Sequence, residues 1–321
     1  MRQAGRYQAS YRAVRQKVPF FDLCKTPELA AQVTVTAVEQ LGVDAAIIFS
    51  DILVAVEAMG APVELTEKGP RLETPIRSMA QVQTLQIPDP SDRMPFVLET
   101  ARLVRRALDG VVPVIGFAGA PLTLASYLVE GGHSKSYDQL KRLLYCEPAA
   151  AHALLDRLAR TVSLLLQAQV EAGCQVVQLF DSWAGILSPQ DYRTYALPYT
   201  RRIFDELSAC GVPRIHFATC CSTLLEAMAE SGAEVIGLDW RIDLTEARRR
   251  LGPDVVLQGN LDPACLFLDE AALEARLKPL LADAGRQRHI FNLGHGVLPG
   301  TDEARARFVV EAVHRLTGGE P

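Results

Sequence analysis

Seven short apolar runs recur along the chain, each followed by a stretch with helical spacing, and this alternation limits the fold more than any other feature of the sequence. The runs are AAIIFS (45–50), VVPVIGF (111–117), CQVVQLF (174–180), VPRIHFA (212–218), EVIGLDW (234–240), DVVLQGN (254–260) and RHIFNLG (288–294). Most are nearly continuous rather than alternating, as expected of strands covered by helices on one face and by packed side chains on the other. Strand-helix alternation predicts a parallel α/β sheet, either open or closed into a barrel. An open dinucleotide-binding sheet would show a Gly-rich fingerprint after its first strand, and none is present; a P-loop is absent too. Polar residues end nearly every run: Ser50-Asp51, Asp181-Ser182, Thr219, Asp239, Asn260 and His295. Barrel sites are assembled in this way from several strand ends on one face. A closed eight-stranded barrel needs one strand more than these seven, and its natural place is immediately before Met1.

Helix signals fall between the runs. Thr26-Pro27 reads as an N-cap followed by proline at the first helical position, and Ser188-Pro189-Gln190-Asp191 comes near the capping-box pattern. Ser134 or Ser136 is placed to start a long helix over 137–171, with a break expected near Pro148. Further helices are predicted over 97–109, 222–231, 243–251, 269–284 and 302–317. The proline-rich stretch 60–95 reads instead as an irregular excursion with a short hairpin. No linker or charge shift divides the chain, so a single domain over residues 1–321 is expected.

Composition narrows the function classes. Apolar residues make up 49% and the formal net charge is -5, a globular balance that favours neither disorder nor a nucleic-acid partner. No apolar stretch approaches the roughly 20 residues of a membrane span. Seven cysteines are scattered without a paired framework, which suits a reducing, cytoplasmic home. The first 25 residues depart from the average, with Arg2, Arg6, Arg12, Arg15, Lys17 and Lys25 against Asp22 alone. This opening lacks the apolar segment of a secretory signal.

Several segments carry groups suited to chemistry, each with a plainer reading beside it. In MRQAGRY, Arg2 and Arg6 could clamp carboxylates through their rigid forks of donors, or could be two surface arginines. In FSDIL, Asp51 leaves an apolar strand, either as a loop or helix-capping aspartate or as a buried carboxylate facing a cationic or N–H-rich ligand. GFAGAPLTLASYLVEGG (116–132) offers glycines for close backbone approach and the Tyr127 hydroxyl, although a simple strand-turn-helix explains the glycines too. QLFDSWAG places Asp181, Ser182 and Trp183 at another strand exit. In FNLGHGVLPGT, His295 sits between two glycines and is poorly suited to core filling. A zinc site from His216, Cys220, Cys221 and His295 can be imagined, yet no HxxxH or CxxC spacing supports it.

Together MRQAGRY, FSDIL, GFAGAPLTLASYLVEGG, QLFDSWAG and NLGHGVLPGT resemble the uroporphyrinogen decarboxylase family over essentially the whole chain. The resemblance implies a single distorted (β/α)8 TIM barrel, a homodimer, and a lyase of haem biosynthesis that converts the four acetate side chains of uroporphyrinogen to methyls, using no metal or organic cofactor. It places Arg2, Gln3 and Arg6 in the substrate-carboxylate cluster, with Arg2 the foremost catalytic candidate. It makes Asp51 the central aspartate facing the pyrrole N–H groups, and Tyr127, Ser182 and His295 the remaining polar contacts, with Tyr127 and His295 also candidate proton donors. Family members usually carry about two dozen residues before MRQAGRY. Relatives in the wider superfamily are zinc-dependent methyltransferases with His-x-Cys at the strand end where this chain has His216-Phe217-Ala218, and Ala218 cannot ligate zinc. A tetrapyrrole carrier on the same barrel is the non-enzymatic alternative.

Overall fold

The computed structural model describes residues 3–66 and 69–318. All seven apolar runs form strands: β1 (Ala46–Ile47), β4 (Val114–Gly119), β5 (Val176–Asp181), β6 (Arg214–Ala218), β7 (Val235–Gly237), β8 (Val256–Leu261) and β9 (His289–Leu293). Together they make one parallel sheet in the order β1-β4-β5-β6-β7-β8-β9, with β1 and β9 at its edges among the described residues. A separate antiparallel hairpin, β2 (Val63–Thr66) with β3 (Gly69–Leu72), stands where the proline-rich excursion was expected.

The two faces of the sheet follow from strand alternation. Gly116 faces the helices: a Cβ there would lie 2.4 Å from Gln169 Oε1 on the Pro148–Glu171 helix. In register with it lie Val177 and Arg214, and two residues further on Ala118, Leu179 and His216. The intervening set, Phe117, Phe180 and Phe217, lies on the opposite, concave face. There the sheet curls enough for Gln258 of β8 to reach Gln178 of β5, three strands away, at 3.5 Å. The helical layer buries Val97, Leu98, Leu154, Leu158, Ile203 and Phe204 against the convex face in one continuous core.

Both edges are partly covered. Gln3 lies along β1, its side-chain amide donating to Ala45 O at 2.6 Å and accepting from Ile47 N at 3.0 Å. The side chain thus pairs two backbone groups that a neighbouring strand would otherwise pair. At the other edge the Glu303–Thr317 and Glu270–Ala284 helices cover Leu261, Phe291 and Leu293 in a second apolar cluster that also contains Tyr7. Ile290 of β9 remains 42% exposed.

Some helix starts follow the local chemistry and others do not. Ser188 caps the Pro189–Tyr195 helix by accepting from Asp191 N at 3.1 Å, and its hydroxyl donates to the Asp191 carboxylate at 2.8 Å. The long helical stretch is broken at Glu147 into Asp138–Cys146 and Pro148–Glu171, because proline cannot continue the first helix. Thr26 holds the cap position of the Pro27–Leu41 helix without making a side-chain cap; its hydroxyl donates to Asp22 O at 2.7 Å instead. No helix among the described residues is long and apolar enough to cross a membrane.

Candidate active site

The carboxyl ends of the parallel strands carry most of the residues singled out from the sequence. β4 leads through Ala120 into the Pro121–Glu130 helix, which bears Tyr127, half-buried, one turn after Thr123. β5 ends at Asp181 and delivers Ser182 and Trp183 beside that helix. The Trp183 ring is the centre of an aromatic wall: Tyr137 lies 5.6 Å away, His133 5.9 Å and Tyr127 6.3 Å between ring centroids. Burial first, then the neighbouring Tyr127, Glu130 and Cys220, pushes the Tyr137 hydroxyl well above the usual tyrosine range. The Tyr137 hydroxyl therefore stays protonated across physiological pH.

A floor of aromatic rings crosses the concave face below this wall. Phe117 meets Phe180 edge-on at 5.5 Å, Phe180 meets Phe217 at 5.8 Å, and Phe217 lies 6.4 Å from the His295 ring. The chain brings His295 there by running Gly294 against the β7 exit, where a Cβ would stand 2.6 Å from Trp240 N. No larger residue fits at that close approach of two backbones, which explains the glycine before the histidine.

Asp51 follows β1 at the same end of the sheet. One carboxylate oxygen accepts from Leu53 N at 2.8 Å, so the local turn-forming role is real. The side chain is half-buried, and its charge adds to burial in raising the Cys24 thiol. The next residue, Ile52, packs at the end of β4: a Cβ on Gly119 would lie 3.1 Å from Ile52 Cβ and 2.8 Å from Leu124, one turn before Leu128 on the helix of Tyr127. The residue after Asp51 and the helix that bears Tyr127 thus both pack at the end of β4. Gln3 and Arg6 come from the segment docked on β1. Gln3 uses its amide on the strand edge, whereas Arg6 is exposed and its carbonyl accepts from Arg12 at 2.9 Å. Arg2 lies outside the described residues. Ser182 sits at the β5 exit, where its carbonyl accepts from the Thr219 hydroxyl.

The imagined zinc site does not assemble. His216 and Phe217 are consecutive strand residues, so they face opposite sides: Phe217 meets His295, while His216 points among the helices, with its ring 5.8 Å from Phe204 and Nδ1 3.2 Å from Ser231 Oγ. The sheet therefore separates the two histidines. Among the described residues no group of three or more His, Cys, Asp or Glu is arranged to hold a metal ion.

Sequence reasoning overlooked the aromatic partners. His133 and Tyr137 lie just beyond the glycine pair of GFAGAPLTLASYLVEGG, and only the turn of the chain back over β5 brings them to Trp183. Trp183 carried its own signal, a large aromatic directly after the polar strand end Asp181-Ser182.

Solved structures share this architecture. A methyltransferase from Methanosarcina mazei superposes with a TM-score of 0.78 at 22% identity, over 91% of this chain and 86% of that one. A B12-independent methionine synthase from Shewanella sp. W3-18-1 gives a TM-score of 0.61 at 9% identity, over 93% and 91%. At these identities the likeness is one of fold. Sequence relatives are far nearer. Uroporphyrinogen decarboxylase of Myxococcus xanthus (strain DK1622) is 55% identical over 315 residues, covering 98% of this chain and 90% of its own. The enzyme of the same name from Syntrophotalea carbinolica is 51% identical over 318 residues, covering 99% and 92%. The uroporphyrinogen decarboxylase family model matches residues 1–316. With relatives above half identity over nearly their full length and a strand-end site built from the same motifs, the chain belongs to the uroporphyrinogen decarboxylase family.

Proposed function

We propose that this chain removes the carboxyl groups of the four acetate side chains of uroporphyrinogen, leaving methyls and giving coproporphyrinogen and CO2 in tetrapyrrole biosynthesis. It works as a homodimer of distorted (β/α)8 barrels in the cytoplasm, without metal or organic cofactor. The observation that carries this reading is spatial: FSDIL, GFAGAPLTLASYLVEGG, QLFDSWAG and NLGHGVLPGT, far apart in sequence, all emerge at the carboxyl ends of strands of one curled sheet, and a row of aromatic rings runs from Phe117 of β4 across to His295 after β9.

The substrate chemistry fits such a site. Direct loss of CO2 from an acetate leaves an unsupported carbanion. Protonation of the electron-rich pyrrole at a ring carbon makes a cationic, iminium-like sink, into which the bond to the departing CO2 delivers its electron pair. The exocyclic methylene that results takes a proton and becomes a methyl, while the ring carbon gives up the proton it first received and the pyrrole is restored. The substrate thus supplies the electron sink that other decarboxylations draw from a cofactor. Asp51 holds the macrocycle by its N–H groups and stabilises the developing positive charge. The aromatic wall and floor take the apolar faces of the tetrapyrrole, and the arginines of the first segment orient its carboxylates through charge-assisted hydrogen bonds. Arginine is intrinsically a weak acid, so Tyr127 and His295 are the more suitable proton donors beside Arg2.

Anaerobic incubation with uroporphyrinogen, followed by oxidation and chromatography of the porphyrins, tests the proposal. Seven-, six- and five-carboxylate intermediates should precede a four-carboxylate product. An untouched octacarboxylate would reject it.

A further inference from the structure

Behind the aromatic wall lies a buried polar chain that the decarboxylation chemistry does not use. Asp181, at the end of β5, is on the helix side of the sheet and 0% exposed. Its Oδ1 accepts from the Thr123 hydroxyl at 2.9 Å, and Thr123 Oγ1 accepts in turn from Trp183 N at 3.2 Å. Oδ2 lies 3.9 Å from His216 Nε2, and His216 is itself fully buried and held through Nδ1 by Ser231. Tyr192, also at 0% exposure, is close enough to Asp181 for that carboxylate to add to burial in raising its hydroxyl.

A carboxylate in such a place is costly, because one of its oxygens has no protein hydrogen bond at all. Packing alone would be served by an apolar residue of similar volume. What the carboxylate alone supplies is polarity of a fixed sense. It can only accept, so the Thr123 hydroxyl must turn its proton toward Asp181 and its lone pair toward Trp183 N–H. Thr123 and Tyr127 are one helical turn apart on the same face. Anchoring Trp183 to Thr123 therefore fixes the Trp183 ring against Tyr127, and with it Tyr137 and His133.

The geometry points to Thr123 and Asp181 as positioning residues, which set the spacing of the Tyr127–Trp183 wall through the Trp183 backbone, with His216 backing the carboxylate from the far side. The inference rests on the reading that this wall receives the tetrapyrrole. Trp183 and Trp240 are the chain's two tryptophans, so a Trp240→Phe background leaves Trp183 as a single fluorescent reporter whose signal does not depend on turnover.

The test compares Thr123→Val, which removes the hydroxyl at nearly constant volume, with Thr123→Ser, which keeps it. Expected for Thr123→Val are a red-shifted Trp183 emission, about twofold greater acrylamide quenching, and a roughly tenfold fall in kcat for uroporphyrinogen with KM changed less than threefold. Thr123→Ser should stay within about twofold of the parent in all of these. Asp181→Leu, close in volume but with no acceptor for Thr123, should repeat the Thr123→Val pattern and serves in its place if the valine variant does not fold. Parental kcat and emission in Thr123→Val or Asp181→Leu would overturn the inference. So would equal losses in the Val and Ser variants, or failure of both Thr123→Val and Asp181→Leu to fold, since each marks a merely structural role. If the parent protein itself leaves uroporphyrinogen untouched, the proposed function fails, while the emission shifts still decide whether Thr123 and Asp181 hold Trp183.

Discussion

Asp51 shows how one side chain can serve two purposes that a single substitution would confound. Its Oδ1 closes the turn onto Leu53 N, and the proposed function gives its charge a second role at the substrate's N–H groups. Asp51→Ala removes both. Asp51→Asn keeps an acceptor for the turn and removes only the charge, so the pair of variants separates the roles. Loss of one preorganised electrostatic contact to a developing charge lowers turnover by about 10²–10³-fold. Asp51→Asn should therefore lose nearly as much kcat as Asp51→Ala, with a urea midpoint closer to the parent. An active asparagine variant, measured by CO2 release or porphyrin chromatography, would reduce Asp51 to a turn former.

At the scale of elements, the β1 edge and β9 make two separate predictions. Gln3 pairs Ala45 O and Ile47 N through its own amide. Gln3→Ala leaves both part-buried backbone groups unpaired, which costs about 1–3 kcal/mol each when water cannot reach them fully. The urea midpoint should fall accordingly, and KM should rise as the segment bearing Arg6 loosens. On β9, burial depresses the His289 pKa below its usual value, against the opposing pull of its 2.7 Å hydrogen bond to Gly259 O. A histidine whose pKa is lower folded than unfolded binds fewer protons in the native state. Its contribution is whole above the unfolded value of about 6.5 and is lost as pH falls through the folded one. Urea midpoints should thus drop between about pH 7 and pH 5, and His289→Gln should flatten that profile; parallel profiles would dismiss the assignment.

These same elements show what the sequence reveals and why it stops. All seven strands were legible because a parallel strand between helices must be apolar on both faces, and that pattern survives in any linear reading. The Ser188 cap and the break at Pro148 were legible because their chemistry is local. Thr26 misled for the opposite reason: a hydroxyl has several partners within reach, and Asp22 O won over the cap. The Pro121–Glu130 helix was read only as the plainer strand-turn-helix alternative for its glycines, and Leu197–Leu207 (LPYTRRIFDEL) went unread although Pro198 stands in its first turn. Asp51, Ser182 and His295 announced themselves as polar residues at strand ends, and Tyr127 as a hydroxyl on the stretch that follows β4. His133 and Tyr137 did not, since their place beside Trp183 depends on a return of the chain that no short pattern encodes. Strand alternation puts His216 and Phe217 on opposite sides of the sheet, but the sequence could not say which of the two would meet His295 and which would turn among the helices.

For the molecule as a whole, the balance of charge is uneven in a way the net figure conceals. Arginines on the outer helices are matched by acids: Arg250 meets Glu226 at 2.6 Å, Arg249 meets Glu246 at 2.7 Å and Arg202 meets Asp156 at 2.6 Å. In the first segment, Arg12 donates to the carbonyls of Arg6 and Tyr7, and Arg15 to that of Val18. Carbonyl partners fix a guanidinium without cancelling its charge. A chain of net charge -5 therefore keeps uncancelled positive charge on Arg12 and Arg15 of its first segment. For an octacarboxylate this charge acts as a guide toward one face, and such guidance weakens as the Debye length shrinks from about 30 Å at 0.01 M salt to about 3 Å at 1 M. Raising ionic strength from about 0.02 to 0.5 M should lower kcat/KM for uroporphyrinogen roughly tenfold, mostly through KM. Arg12→Gln should blunt this response, because it removes a charge that pairs with no acid among the described residues. Arg249→Gln, which breaks an exposed pair on an outer helix, should leave the salt dependence unchanged. Equal salt slopes in the parent and in Arg12→Gln would mean that the first segment does not guide the substrate, and that its arginines act only at contact.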